Sequence, residues 1–277
     1  MRMSIASHHA KRRPVLTVIG KTSVRWARQS RFLCAMSSTS HRAELSRADE
    51  EMKASFTAFV ADPAFPCLGA KAALNSGSQI LRVYRELGAK ECATELARDL
   101  EAFIFSDVRR TNAFATFVAI FREPRALSEK QFEDLLWLAL QQLHQIDVLR
   151  HAWNAKVSSD TANARFAFSF AHEPLYVVGL HGGSSRRSRR FGWPTLVFNP
   201  HEQFERLRHD GNWTKMQETI RRRDIALQAS INPMLSDFGD QSEARQYSGR
   251  AVEADWSPPF KISGGAPPKS SGCPIAH

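Results

Sequence analysis

Apolar residues recur along this chain in two periods, and the switch between them divides it. From residue 44 to 62, Phe56, Phe59 and Val60 share one side of a helix, and Asp62-Pro63 ends the run. Residues 65–77, FPCLGAKAALNSG, predict a turn into a short helix carrying Cys67. Residues 79–107 fit either a strand followed by a helix or helix throughout, and Gly88 weakens the single helix. TNAFATFVAIFREP, 111–124, has strand character and ends at a proline. Ser128 stands three before Gln131, which predicts a capping box. The helix that follows carries Phe132, Leu135, Leu136, Ala139, Leu143 and Ile146 at helical spacing.

From residue 164 the period shortens. ARFAFSFA alternates and PLYVVGLH follows, which predicts a hairpin; PTLVFNP is a third strand. Asn199 is expected to cap a helix opening with Pro200, His201 and Glu202, and residues 215–228 form another helix. Loops follow Ile231, and the last thirty residues, rich in Pro, Gly and Ser, are irregular. The expected class is α/β (α+β), a single domain with a mainly antiparallel sheet packed against several helices.

Charge alters this picture only at one end. The formal net charge is +10, but nine of the 38 Lys/Arg and none of the 28 acidic residues stand in the first 43 positions. Residues 1–43 are thus expected to be a basic, disordered leader, with the true start near Met36. Residues 44–260 are the expected folded domain and 261–277 an irregular tail. With the basic residues gathered in a leader and no aromatic interleaving, nucleic acid is not an expected partner. The four cysteines, at 34, 67, 92 and 273, have no metal-cluster spacing. Free thiols and the lack of a long apolar run imply a cytoplasmic protein with no membrane partner. A homodimer is left open.

One stretch raises a chemical question. Residues 177–208 read VVGLHGGSSRRSRRFGWPTLVFNPHEQFERLR, with Ser185, Arg186, Arg189 and Arg190 between two apolar strands. A solvated charge run is one reading; a pocket for an anion is the other, because guanidinium suits carboxylate and phosphate. The glycine spacing of nucleotide-binding loops is absent. His181 ends one strand, and His201, in the first turn of a helix, is held neutral by the helix dipole, as a metal ligand must be. Cys67, at the start of a helix, is a third ligand candidate, against its reading as a small buried hydrophobe. Between 221 and 250, Asp237, Glu243, Arg245 and Tyr247 stand in a polar, turn-rich segment beside Ile231 and Phe238, as in a packed functional loop. Its carboxylates suit a cationic substrate.

Three stretches carry a family resemblance: FPCLGAKAAL at 65–74, the 177–208 stretch above, and IRRRDIALQASINPMLSDFGDQSEARQYSGR at 220–250. With them the chain resembles the YqcI/YcgG family over about residues 45–260. Some members of that family are haem-dependent N-oxygenases. The resemblance therefore implies a haem-dependent monooxygenase that hydroxylates a nitrogen, guanidine or amine, of a small amino-acid-like metabolite. It implies haem b, dioxygen as co-substrate and an external electron donor such as a reductase. In that reading His181 is the first candidate for the iron ligand and His201 the second. Ser185, Arg186, Arg189 and Arg190 line the cofactor and its propionates; Glu243 and Asp237 hold the substrate nitrogen group; Arg245 or Tyr247 meets a substrate carboxylate. The alternatives are a haem-binding sensor or carrier without turnover, and a non-haem domain for an anionic metabolite. The chain departs from the family pattern at Gly182, where proline is common, at Pro258, where cysteine is usual, and at Ala229, where glycine is frequent.

Overall fold

A computed structural model of the chain describes residues 43–263. The first described element is the helix at 43–61 (α1). The basic leader to residue 42, Met36 and the tail beyond 263 lie outside the described residues.

The strands in chain order are β1 (Gln79–Glu86), β2 (Thr116–Glu123), β3 (Phe168–Phe170), β4 (Glu173–Leu180) and β5 (Thr195–Pro200). They form one sheet in the order β1-β2-β5-β4-β3. β1 and β2 are parallel, and every other pair is antiparallel. The helices after α1 are α2 (Leu68–Asn75), α3 (Lys90–Ile104), α4 (Asp107–Thr111), α5 (Glu129–Asp147), α6 (Glu202–His209), α7 (Trp213–Gln228) and α8 (Ala244–Tyr247). The expected mixed α/β domain with a mainly antiparallel sheet is the observed one.

Local signals explain most of the boundaries. The ambiguous 79–107 segment is a strand and then a helix, broken at Gly88, whose φ of 91° suits only glycine. The capping box forms as expected: Ser128 Oγ accepts from Gln131 N at 3.2 Å, and Gln131 Oε1 accepts from Ser128 N at 3.0 Å. Asn199 does not cap α6. It lies within β5, its Oδ1 accepting from Thr116 Oγ1 at 3.0 Å and its Nδ2 donating to Tyr176 O at 3.3 Å. A cross-strand partner has taken the side chain that the sequence assigns to the helix. The loops after Ile231 contain one short helix, α8.

The sheet is covered on both faces. One face packs on α3 and α5 through Leu100, Phe117, Phe132, Leu140 and Phe198, all fully buried. α5 comes so close that a Cβ on Gly179 would stand 2.6 Å from Phe132 Cε1. Trp256 and Phe260 close this core against Trp137, with ring centroids 6.1 and 6.0 Å apart. The Ser-Pro-Pro-Phe departure at 257–260 thus falls in a segment whose phenylalanine belongs to the packing. The other face carries a smaller cluster, Met52, Phe56 and Val60 of α1 with Val118, Ile120, Leu180 and Phe191.

Candidate functional site

The face under α1 is not filled along its whole length. Strand register explains why. Leu81, Val118, Val197 and Val178 stand opposite one another across β1, β2, β5 and β4, as do Val83, Ile120, Thr195 and Leu180. The preceding positions on the same face are Gln79, Thr116, Asn199 and Tyr176, a polar row across four strands. Over this row and its valine neighbours lies a cavity of about 290 Å³. Phe56, Val60 and the 65–70 turn form one side of it, Trp213, Met216 and Ile220 of α7 another, and Asp237, Phe238, Glu243 and Gln246 a third. Apolar walls with a few convergent polar groups are the composition of a small-molecule site. The row occupies the N-terminal ends of β1 and β2, opposite to where open α/β sheets usually hold ligands.

Four groups with chemistry line the cavity, Cys67, Glu243, Asp237 and Tyr176. Cys67 stands immediately before α2. Burial pushes its thiol pKa up, while the N–H groups of Ala70 and Gly69 and the charges of Arg189 and Lys71 pull it down. Glu243 also lines the cavity, its Oε2 2.9 Å from His201 Nε2 and 3.4 Å from the Tyr247 hydroxyl. Burial raises its carboxyl pKa against the pull of His201 and Tyr247. Asp237 accepts from Gln217 Nε2. Tyr176 donates to Gln246 Oε1 at 2.8 Å, and burial pushes its phenol up to about 12.

Of the expected cofactor residues, the structure brings only Arg189 to the cavity wall. Its guanidinium donates to the carbonyls of Gly179, Tyr247 and Gln246, and no carboxylate pairs with it. In the rest of the arginine loop Arg187 and Arg190 are exposed and only Arg186 is buried. Arg186 is buried against Asp224 and also donates to Ser230. Arg187 donates to Leu227 O, and Arg190 to Ser184 O. Ser185 donates to Glu129 Oε1 at 2.7 Å, away from the cavity. Arg186 and Arg187 bolt the loop to the end of α7, and these bonds offset most of the cost of burying the Arg186 guanidinium, although its Nε has no partner.

His181 is on the wrong face for this cavity. Counting by twos from Val177 and Gly179 puts it on the α5 side, where its ring stacks on Phe132 at 4.4 Å and 18°. Its Nδ1 has no hydrogen-bond partner, and burial lowers its pKa. His201 is buried behind Glu243, with Phe238 packed edge-on at 5.1 Å. Arg245 is elsewhere too: it donates to the carbonyls of Val252, Glu253, Ala254 and Trp256, so it ties down the C-terminal segment and is not free to meet a substrate carboxylate. Tyr247 is fully buried, accepting from Phe168 N, and meets the site through Glu243, Arg189 and Tyr176 without lining the cavity itself.

Sequence reasoning missed Gln79, Thr116, Tyr176 and Gln203. Three of them are polar residues inside otherwise apolar strands, a signal available from alternation alone. Gln203 lies in the first turn of α6 and carries none. Among the described residues, no group of three or more His, Cys, Asp or Glu side chains could hold a metal ion. No helix among them is long and apolar enough to cross a membrane. The profile of the YqcI/YcgG family matches residues 56–261. No curated protein and no solved structure matches the chain.

Proposed function

Because the chain belongs to the YqcI/YcgG family, we propose that it is a monooxygenase hydroxylating a nitrogen of a small amine or guanidine. In this reading the cavity holds haem b, dioxygen is the co-substrate, and an external donor such as a reductase supplies electrons. One observation carries it: a single apolar cavity has a thiol at a helix start, Cys67, and two acids, Glu243 and Asp237, in its walls. Haem asks for one side-chain donor with a free lone pair inside apolar walls, and Cys67 would be that donor, with the cavity of about 290 Å³ widening to admit the macrocycle. His201 is the next candidate, although Glu243 engages its Nε2. His181 would have to leave Phe132 and cross the sheet. Haem, when bound, supplies the activation of dioxygen.

The protein's own groups do the rest. Glu243 and Asp237 attract and orient a cationic nitrogen. That nitrogen sheds a proton when it is hydroxylated. Glu243, whose carboxyl burial makes more basic than usual, accepts it, while His201 and Tyr247 hold the carboxylate in line. Phe65, Phe238 and Trp213 keep water from the reacting atoms.

Absorption spectra of the full chain produced with haem in excess test this. A Soret band is expected, with a ferrous–carbonyl band that moves in Cys67→Ala and stays in His181→Ala. Colourless protein overturns the haem reading, and a band lost only in His201→Ala moves the ligand to that residue. A sensor or carrier would give the same spectra with no turnover. Arg189, a buried cation with no ion-pair partner among the described residues, favours a second reading: a non-haem site for an anionic metabolite, for which no Soret band is expected.

A further inference from the structure

We propose that the α6–α7 wall of the cavity is a carboxylate-binding subsite, in which Arg208 and Arg221 each take one carboxylate of the same occupant. Where that occupant is haem, the carboxylates are its propionates, and for that source the proposal rests on the haem reading above. Where it is a small organic dicarboxylate, the subsite stands without haem.

Most charges in the cavity wall are already engaged. Asp224 is spent on Arg186, Asp237 accepts from Gln217, and His201 and Tyr247 hold Glu243. Arg189 gives its donors to three carbonyls. Arg208 and Arg221 line the same cavity and are half-buried, yet among the described residues neither side chain has a hydrogen-bond or ion-pair partner. Arg208 makes only a ring contact: its guanidinium carbon stands 4.8 Å from the centre of Trp213, itself a lining residue. Its charge also acts on the buried Glu243, so the guanidinium lies within electrostatic reach of the interior. Arg221 belongs to the lining stripe of α7, with Trp213, Met216, Gln217, Ile220 and Asp224 at spacings that share one helix face.

This placement also defines the ligand. A guanidinium held half out of water without a partner is costly, and its paired donors match a carboxylate. Arg208 sits over Trp213 at the start of α7, and position 221 is about 12 Å further along that helix. Two arginines so placed serve two anionic groups set apart on one frame rather than a single phosphate. Met216 and Ile220, between them on α7, are apolar and suit an organic frame. The anion clamp that the sequence suggests at 186–190 thus falls instead on α6 and α7.

Absorbance titration of the full chain tests this with ferric haem and its dimethyl ester, which keeps the ring and removes the carboxylate charges. Haem is expected to bind about 100-fold tighter than the ester, about ten-fold for each charged contact. Arg208→Gln and Arg221→Gln should each remove about ten-fold of that gap and the double variant all of it. The thermal midpoint of the ligand-free protein should not fall, because no native bond is lost. If a glutamine variant fails to fold, the lysine variant, which keeps the charge without the paired donors, should narrow the gap by less. Equal binding of haem and ester, or a gap that survives the double variant, overturns the subsite and leaves the haem reading standing. If neither porphyrin gives a Soret band, the haem reading fails, and thermal shift with the dicarboxylates from succinate to suberate decides the subsite. Stabilisation that the double variant loses supports it; stabilisation that is absent, or that survives the double variant, overturns it.

Discussion

Nε2 of His201 lies 2.9 Å from Oε2 of Glu243, and the two side chains are 5 % and 6 % exposed. Neither hydrogen-bonds to another charged side chain among the described residues, so each is the other's main polar partner. Removing one strands the other in an apolar setting. His201→Ala is expected to destabilise the fold by about 3 kcal/mol. Urea denaturation measures it, and a change within a few tenths of a kcal/mol would mean that the pair is not coupled. In turnover assays Glu243→Gln should lower kcat about 100-fold, as loss of a proton acceptor does, with a smaller effect on KM.

Asp147 makes a sharper pH prediction. Burial raises its carboxyl from 3.8 to about 6, against the pull of the Ala171 N–H, His151 and His172. The folded value lies above the unfolded one, so the folded protein holds this proton more tightly. The group's stabilisation is complete below about pH 4 and is lost as pH rises through 6. Asp147→Asn keeps an oxygen to accept from Ala171 N at 2.9 Å. Its stability should therefore fall less between pH 4 and 7, by up to about 3 kcal/mol relative to wild type. Parallel slopes for the two proteins would refute the shift.

The Arg186–Asp224 pair braces the arginine loop against α7. Arg186→Ala and Asp224→Ala should each cost about 3–5 kcal/mol, and the double variant much less than their sum. Additive costs in the double-mutant cycle would show that the loop is held by other contacts.

Ala229 ends α7 in the left-handed region, at φ 60°. Glycine, which the family pattern favours there, adopts this backbone without strain. Ala229→Gly should stabilise by about 1 kcal/mol and raise the thermal midpoint by roughly 2–4 °C. An unchanged or lower midpoint in calorimetry would contradict this.

The strands and helices were legible because their period is local. The Ser128 box and the Gly88 break depend on residues within a turn of each other. The site was less so, because it depends on which chain segments return. Nothing near Arg186 in sequence announces that Asp224 and Ser230 will meet it. His181 lies away from the cavity for a different reason. Alternation does tell which face it occupies, but only the fold tells which face is hollow. Glu243 and Asp237 do reach the cavity, since the polar 221–250 segment lies against it. Cys67 does as well, although its reading as a buried hydrophobe and its reading as a ligand differ only in what stands across the gap.

The uncharged row across four strands and the ionisable wall opposite give the two ends of any occupant different sensitivities. Contacts made to carboxamides and hydroxyls neither titrate near neutrality nor weaken in brine. Those made to the carboxylates of Glu243 and Asp237 weaken as salt rises. Raising the ionic strength should therefore loosen a bound molecule at its cationic end first, leaving it tethered by the other, so that added salt speeds the loss of alignment before it empties the chamber.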